Sequence, residues 1–208
     1  MSEKKLKPAQ NIEIRHKVKD SKFYASIFSI NNRSEAEEKI AEIKDKYSDA
    51  SHNVSAFRVE SKAGIIEYFH DDGEPAGSSG PPVLEAIKGA DLINTVIVVT
   101  RYFGGTKLGI GGLIRAYGNS ARIAINQAGI EELNQFFLIS VEGNFNQIGN
   151  ILGQLEANKA EILNTVYNEK GGTVKSIISS EKYKSLKRDI KEKTGDKFSL
   201  NLEKTLFR

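Results

Sequence analysis

The chain has no cysteine among its 208 residues. Disulfides, a thiol nucleophile and any zinc or iron–sulfur site built on thiolates are excluded with it. Histidine is nearly as scarce, and only His16, His52 and His70 remain as nitrogen ligands. No apolar run reaches the roughly 18 residues that span a bilayer. The start, Met-Ser-Glu-Lys-Lys-Leu-Lys-Pro, is too polar for a secretory signal. Together these predict a cytoplasmic protein without membrane contact. Charge of one sign is also lacking: 30 Lys and Arg stand against 27 Asp and Glu, a net of +3. Residues 1–133 are balanced and the excess falls on 134–208. A nucleic-acid footprint must therefore be a local patch. With 39% apolar and 27% charged residues the composition is that of a globular protein, long enough for one large or two small domains.

What the chain has in excess is glycine in one place. Residues 99–118 hold six glycines, with Arg101, Lys107 and Arg115 among them. Glycine inside regular structure costs about 0.5–1 kcal/mol relative to alanine, so such density marks close backbone approach or positive φ. The β-branched run Asn94 to Thr100 ahead of it reads as a strand buried on both faces. A helix follows, from about Gly112 to Ala128 and stopped by Gly129. On it Leu113, Tyr117, Ala121, Ala124 and Ala128 share one side, and Arg115, Asn119 and Arg122 the other.

Around this centre the pattern predicts strands at Ile12 to Val18 and Phe23 to Ile30. A helix over 34–47 is opened by a Ser34/Glu37 capping box. A strand pair, Val54 to Val59 and Ile65 to Phe69, comes next. Asp71 to Pro82, with three of the four prolines, is a loop, and Val83 to Lys88 a short helix. From Glu131 the pattern restarts: a strand at Phe136 to Val141, a helix capped by Asn144, a hairpin across Gly171-Gly172, a helix ended by Gly195, and a strand carrying Phe198, Leu200 and Leu202. That order, βαββαβ, is the ferredoxin-like split motif. The expectation is an α+β protein with domains at 1–132 and 133–208.

Two constellations carry candidate chemistry. In the first, Asp71, Asp72 and Glu74 beside His70 are oxygen ligands of the kind Mg²⁺ takes. They are equally a turn whose carboxylates bond local N–H groups and hold nearby arginines. Gly77-Ser78-Ser79-Gly80 ahead of a helix has the make-up of a phosphate cradle but lacks the Walker lysine, so an ordinary glycine-rich loop stands beside that reading. In the second, the backbone of Gly104, Gly105 and Gly112, the cations Arg101, Lys107, Arg115 and Arg122, and Asn119 suit an anion, with Tyr102 or Phe103 placed to stack on a base. Against this stands a purely structural role, with the arginines paired to the acidic loop and the glycines serving strand–helix packing. The lysine-rich stretch 182–193 reads as a solvated helix face.

Those residues carry a resemblance. His70 to Pro75, Gly80 with Pro82, Val99 to Gly109 and Gly112 to Tyr117 resemble the signature of the IMPACT family in its bacterial two-domain form, and the match covers most of residues 12–128. The resemblance implies, for the first domain, the fold shared by a small-subunit ribosomal protein, the RNase P protein, domain IV of elongation factor G and the GHMP-class kinases. For the second it implies a likeness to domain V of elongation factor G. Eukaryotic members regulate translation. Where many members have a cysteine after His-Asn, this chain has Val54, so no role of that cysteine carries over.

The resulting expectation is a non-enzymatic modulator of translation that binds RNA or the ribosome, without metal or cofactor. A translation-factor protein is an alternative partner. A small-molecule enzyme acting with Mg²⁺ on a phosphorylated substrate is the alternative activity.

Overall fold

The run of β-branched residues before the glycines needs apolar cover on both faces, and the fold supplies it. A computed structural model describes residues 5–61, 63–195 and 198–207; the first four residues of the polar leader lie outside them. The chain falls into two compact units, Met1–Glu132 and Leu133–Arg208.

The first unit runs β1 (Leu6–Pro8), β2 (Ile12–Val18), β3 (Ser21–Ser29), α1 (Arg33–Lys46), β4 (His52–Ser61), β5 (Gly64–His70), α2 (Gly80–Gly89), β6 (Thr95–Tyr102), α3 (Ile110–Ala128) and β7 (Ile130–Glu132). Five strands form an antiparallel sheet in the order β2-β3-β6-β4-β5, with β6 at its centre. Its side chains alternate between two cores. Ile97 and Val99 join Phe23, Ala25, Ile27, Val54 and Ala56 against α2 and α3. Val96 joins Phe57 and Val59 against Ala36 of α1. The short strands β1 and β7, absent from the sequence expectation, pair with each other near the two ends of the unit.

The second unit runs β8 (Gln135–Gly143), α4 (Phe145–Ala157), β9 (Glu161–Asn168), β10 (Gly171–Ser179), α5 (Ser180–Thr194) and β11 (Ser199–Phe207). Its antiparallel sheet has the order β11-β8-β10-β9. Ile139, Val141, Val174 and Ile178 face Ile151, Leu155, Leu186 and Ile190 of the two helices. This is the βαββαβ arrangement, and the protein is α+β as its pattern indicates.

Local details differ from the expectation. Asn32, not Ser34, caps α1: its side chain accepts from Glu35 N at 2.9 Å, and Glu35 in turn accepts from Asn31 N at 2.8 Å. Both residues are good cap formers, and the one with extended backbone wins. Gly171 and Gly172 do not form the hairpin turn but open β10, where a Cβ on Gly171 would collide with the Gly143 carbonyl. β4 begins at His52, two residues before the expected strand, and α2 starts three residues early, at Gly80. At Asn144 the expected cap is present as a full capping box with Gln147.

Asn32→Ala should therefore lower the unfolding free energy of the first unit by about 1 kcal/mol in chemical denaturation, with Ser34→Ala nearly neutral. The reverse order of effects would place the cap at Ser34.

Candidate functional site

The end of β6 separates two residues that the sequence reading grouped. Strand alternation turns Arg101 toward the α2/α3 side of the sheet and Tyr102 toward the other. There Tyr102 donates to Asp49 Oδ1 at 2.6 Å and meets the Tyr24 and Tyr47 rings edge-on at 6.0 and 6.4 Å. The Asp49 hydrogen bond raises its hydroxyl pKa to about 12. It belongs to an aromatic cluster under α1, not to a base-stacking surface beside Arg101.

Arg101 is 4% exposed. Its Nη1 donates to Glu74 Oε1 at 2.6 Å and its Nη2 to Ser21 Oγ at 3.2 Å, with the Phe23 and Phe103 rings 5.7 and 5.4 Å from the guanidinium carbon. Glu74 Oε1 also accepts from Tyr117 OH at 2.7 Å, and burial together with that carboxylate drives the Tyr117 hydroxyl far above its ordinary pKa. A buried charge needs this degree of pairing. Yet Arg101 Nε–H has no acceptor among the described residues.

The loop between β5 and α2 has three carboxylates with three separate duties. Asp71 accepts from Gly77 N, Ser79 N, Ser79 Oγ and Gly80 N, all within 3.0 Å, and so caps α2 from eight residues upstream. Burial pushes its carboxyl up, but those four hydrogen bonds prevail and hold it below the ordinary value. Asp72 meets Lys44 Nζ at 2.6 Å and Asn53 N at 2.7 Å; burial again raises and these bonds lower its pKa, with a net depression. Only Glu74 meets an arginine. The expectation that Asp71 and Asp72 hold the arginines is corrected here: the loop is short, and each carboxylate satisfies the donors nearest to it. The two alternative readings of this loop also lose their basis. The carboxylates do not converge, no metal-ligand cluster forms among the described residues, and the amides of the would-be phosphate cradle are taken by Asp71.

The glycines divide between packing and backbone conformation. Gly104 lies against the β2–β3 turn, where a Cβ would collide with the Asp20 carbonyl. Gly105 and Gly109 adopt φ of +91° and +70°. Gly109 then leads into α3, a helix with no side-chain cap and no acid in its first turn. At Gly112 a Cβ would lie 3.0 Å from that of Leu108.

Lys107, Arg115, Asn119 and Arg122 are exposed. Lys107 and Arg115 make no hydrogen bond or ion pair among the described residues, whereas Arg122 bonds only the neutral Asn119, at 2.6 Å. The arginines lean toward the start of α3, as helical side chains do: a Cβ on Gly111 would lie 3.5 Å from Arg115 Nη1, and one on Gly118 3.3 Å from Arg122 Nη2. Each glycine thus sits one turn below an arginine. Lys107, Phe103, Leu108, Ile110 and Leu113 surround a hollow of about 360 Å³ with Arg101 and Glu74 in its lining. Arg122 borders a different hollow, beside Glu85, Gly89 and Ile125, and lies about 10 Å farther along the helix axis than Arg115.

A signal missed in the sequence strengthens this picture: between Asp91 and Glu131 the chain has no carboxylate at all. The four cations of that stretch face no acid of their own segment.

Because the folded pKa values of Asp71 and Asp72 lie below the ordinary 3.8, their stabilisation is present above about pH 4 and is lost as pH falls through the folded values. The melting temperature of the wild type should fall between about pH 5 and pH 2. The Asp71→Asn variant, less stable at neutral pH, should lose less over that range; parallel melting curves in acid would remove Asp71 as the source.

Comparison with known proteins places these features in a family. Residues 19–125 match the Impact N-terminal domain. The IMPACT family member YvyE of Bacillus subtilis is 37% identical over 152 residues, covering 73% of this chain and 70% of that protein. An IMPACT family member from Haemophilus influenzae is 28% identical over 198 residues, 95% of this chain and 96% of its own length. A crystal structure described as that of an hypothetical protein superposes on 98% of this chain and 99% of its own with a TM-score of 0.74 at 24% identity, a likeness of fold. With its first unit matched to the family domain and a relative at 37% identity, the chain belongs to the IMPACT family.

Proposed function

We propose that this protein acts in the cytoplasm as a non-enzymatic modulator of translation that binds RNA or the ribosome. One observation carries the reading: Lys107, Arg115 and Arg122 are exposed, form no ion pair among the described residues, and sit on a segment from Leu92 to Ile130 that contains no carboxylate. Several cations elsewhere in the first unit have partners, although Lys17, Lys19 and Lys22 of the β2–β3 hairpin are exposed without an ion pair among the described residues. Lys44 meets Asp72, Lys46 meets Glu13, Arg58 meets Glu67 and Lys88 meets Glu85. Cations without ion-pair partners on a helix and the loop that enters it suit phosphate contacts, because no ion pair must be broken before a phosphate is met.

The rest of the helix supports the same surface. Its apolar side, with Leu113, Tyr117, Ala121 and Ala124, is buried against the sheet, which fixes the direction of Arg115 and Arg122. Asn119 between them adds a neutral donor and acceptor suited to sugar or base edges. Family membership supports the link to translation through the resemblance to eukaryotic regulators. No helix among the described residues is long and apolar enough to cross a membrane.

Purified protein should bind ribosomes or structured RNA with an affinity that falls steeply as salt rises. In Lys107→Ala and in Arg115→Ala the slope of log affinity against log salt should flatten by about one unit each. Binding that is insensitive to both substitutions would remove this surface from the proposal, and a partner that survives nuclease treatment would favour a translation factor instead.

A further inference from the structure

The hollow at the start of α3 has one chemical character at its mouth and another along its wall. Two cationic features meet at the mouth. The N-terminus of the 19-residue α3 presents its first-turn N–H groups with no side-chain cap. The Lys107 ammonium lines the hollow without a partner among the described residues. Deeper in the lining Arg101, 4% exposed, keeps an Nε–H without an acceptor, an uncommon state for a buried donor. Glu74, the one acid in the lining, is already matched by Arg101 and Tyr117 and cancels none of the outer charge.

The wall is apolar: Phe103 is 47% exposed, Ile110 is 64% exposed, and Leu108 and Leu113 lie beside them. The Phe103 ring lies over the Arg101 guanidinium, 5.4 Å away, and leaves an aromatic surface open to the hollow. Small-molecule sites occupy about 300–1,000 Å³, and about 360 Å³ is at the low end, room for a single nucleotide unit.

We infer that this hollow is a subsite for a nucleoside phosphomonoester, its phosphate received by the first turn of α3 with Lys107 and its base laid against Phe103. The charge balance favours a monoester over a diester. Lys107 and roughly half a charge from the helix terminus face the site, about +1.5 together. A monoester brings about −1.5 to −2 at neutral pH, where an internal RNA phosphate brings only one negative charge. A 5′-phosphorylated RNA end and a free mononucleotide both carry this group. The subsite deepens the RNA-binding reading and rests on it: the phosphorylated end of a strand would seat here while its body follows Arg115, Asn119 and Arg122 along α3.

The test uses the full chain and three probes: cytidine 5′-monophosphate, cytidine, and short oligonucleotides of one sequence with and without a 5′-phosphate. Titration calorimetry should show binding of the monophosphate and none of cytidine at the same concentration. The 5′-phosphorylated oligonucleotide should bind at least about tenfold more tightly than its 5′-hydroxyl twin, a gap of about 1.4 kcal/mol. The informative variant is Ile110→Glu. A carboxylate at the first position of α3 suits the helix terminus and preserves the fold, yet places the chain's own anion where the phosphate belongs. Ile110→Glu and Lys107→Ala should each abolish the preference for the 5′-phosphate, and Phe103→Ala should weaken the monophosphate without removing the salt dependence of longer RNA. If the monophosphate fails to bind at millimolar concentration, or Ile110→Glu binds it like the wild type, the subsite is overturned. RNA binding that persists in that case leaves the broader reading standing; loss of all RNA binding in the wild type ends both. A preference for free mononucleotide over the phosphorylated oligonucleotide would assign the subsite to a small ligand and overturn the strand-end reading.

Discussion

The buried contact between Arg101 and Glu74 is the constraint from which the rest of the first unit takes its shape. It joins the end of the central strand to the loop before α2, and through Tyr117 and Ser21 it reaches α3 and β3. A charged pair this deep is a weak source of net stability, because desolvation offsets most of the attraction. Its geometric consequence is larger than its energy. Removing either partner leaves an uncompensated buried charge, at a cost of about 3–5 kcal/mol, so the loop, the strand end and the helix must meet in one arrangement. Phe23 and Phe103 enclose the guanidinium, and Tyr117 packs edge-on to Phe23 with centroids 5.3 Å apart, so the polar contact sits inside a well-filled core.

That arrangement explains why the glycines cluster where they do. Once Arg101 is anchored, the chain must leave β6, pass against the β2–β3 turn and enter α3 within eight residues. Gly104 permits the first close approach, with its N–H 3.4 Å from Ser21 Oγ, and Thr106 ties the loop to Asp20 at 2.7 Å. Gly105 and Gly109 supply the left-handed backbone that an L side chain resists. The density that suggests ligand approach in the sequence therefore has two structural causes. Gly111 and Gly118 do a different thing. They lie under Arg115 and Arg122, where the absence of a Cβ lets each guanidinium rest close to the helix.

The sequence reveals most where one physical signal stands without competitors. The run Thr95 to Thr100 has no polar alternation, and it is the strand with cover on both faces. On α3, helical spacing places Arg115, Asn119 and Arg122 away from Leu113 and Tyr117, and burial follows that division. Legibility fails where local signals are degenerate. Asn32 and Ser34 are both competent caps, and only backbone conformation chooses between them. It fails again at Arg101, because a strand covered on both sides gives no hint of which parity faces which core. Strand parity alone does, however, separate Arg101 from Tyr102, and their treatment as one surface overlooked a rule visible in the sequence. The destinations of Asp71, Asp72 and Glu74 depend on Ser79, Lys44 and Arg101, the last two 28 and 27 residues away, and no spacing rule reaches them.

The same internal assignments account for the free cations. An acidic loop beside a basic helix would ordinarily neutralise it, and a surface of that kind has little pull on phosphate. Here each carboxylate of the loop is held by partners that outcompete a distant arginine: three backbone amides and a hydroxyl for Asp71, a lysine and an amide for Asp72, and the buried Arg101 with Tyr117 for Glu74. Short hydrogen bonds to fixed backbone donors cost little side-chain entropy, whereas a bridge to a mobile surface arginine is worth at most about 1 kcal/mol. The loop's charge is thus consumed in building the fold. What it leaves exposed is a helix start and three cations, with the nearest acids in sequence at Asp91 and Glu131.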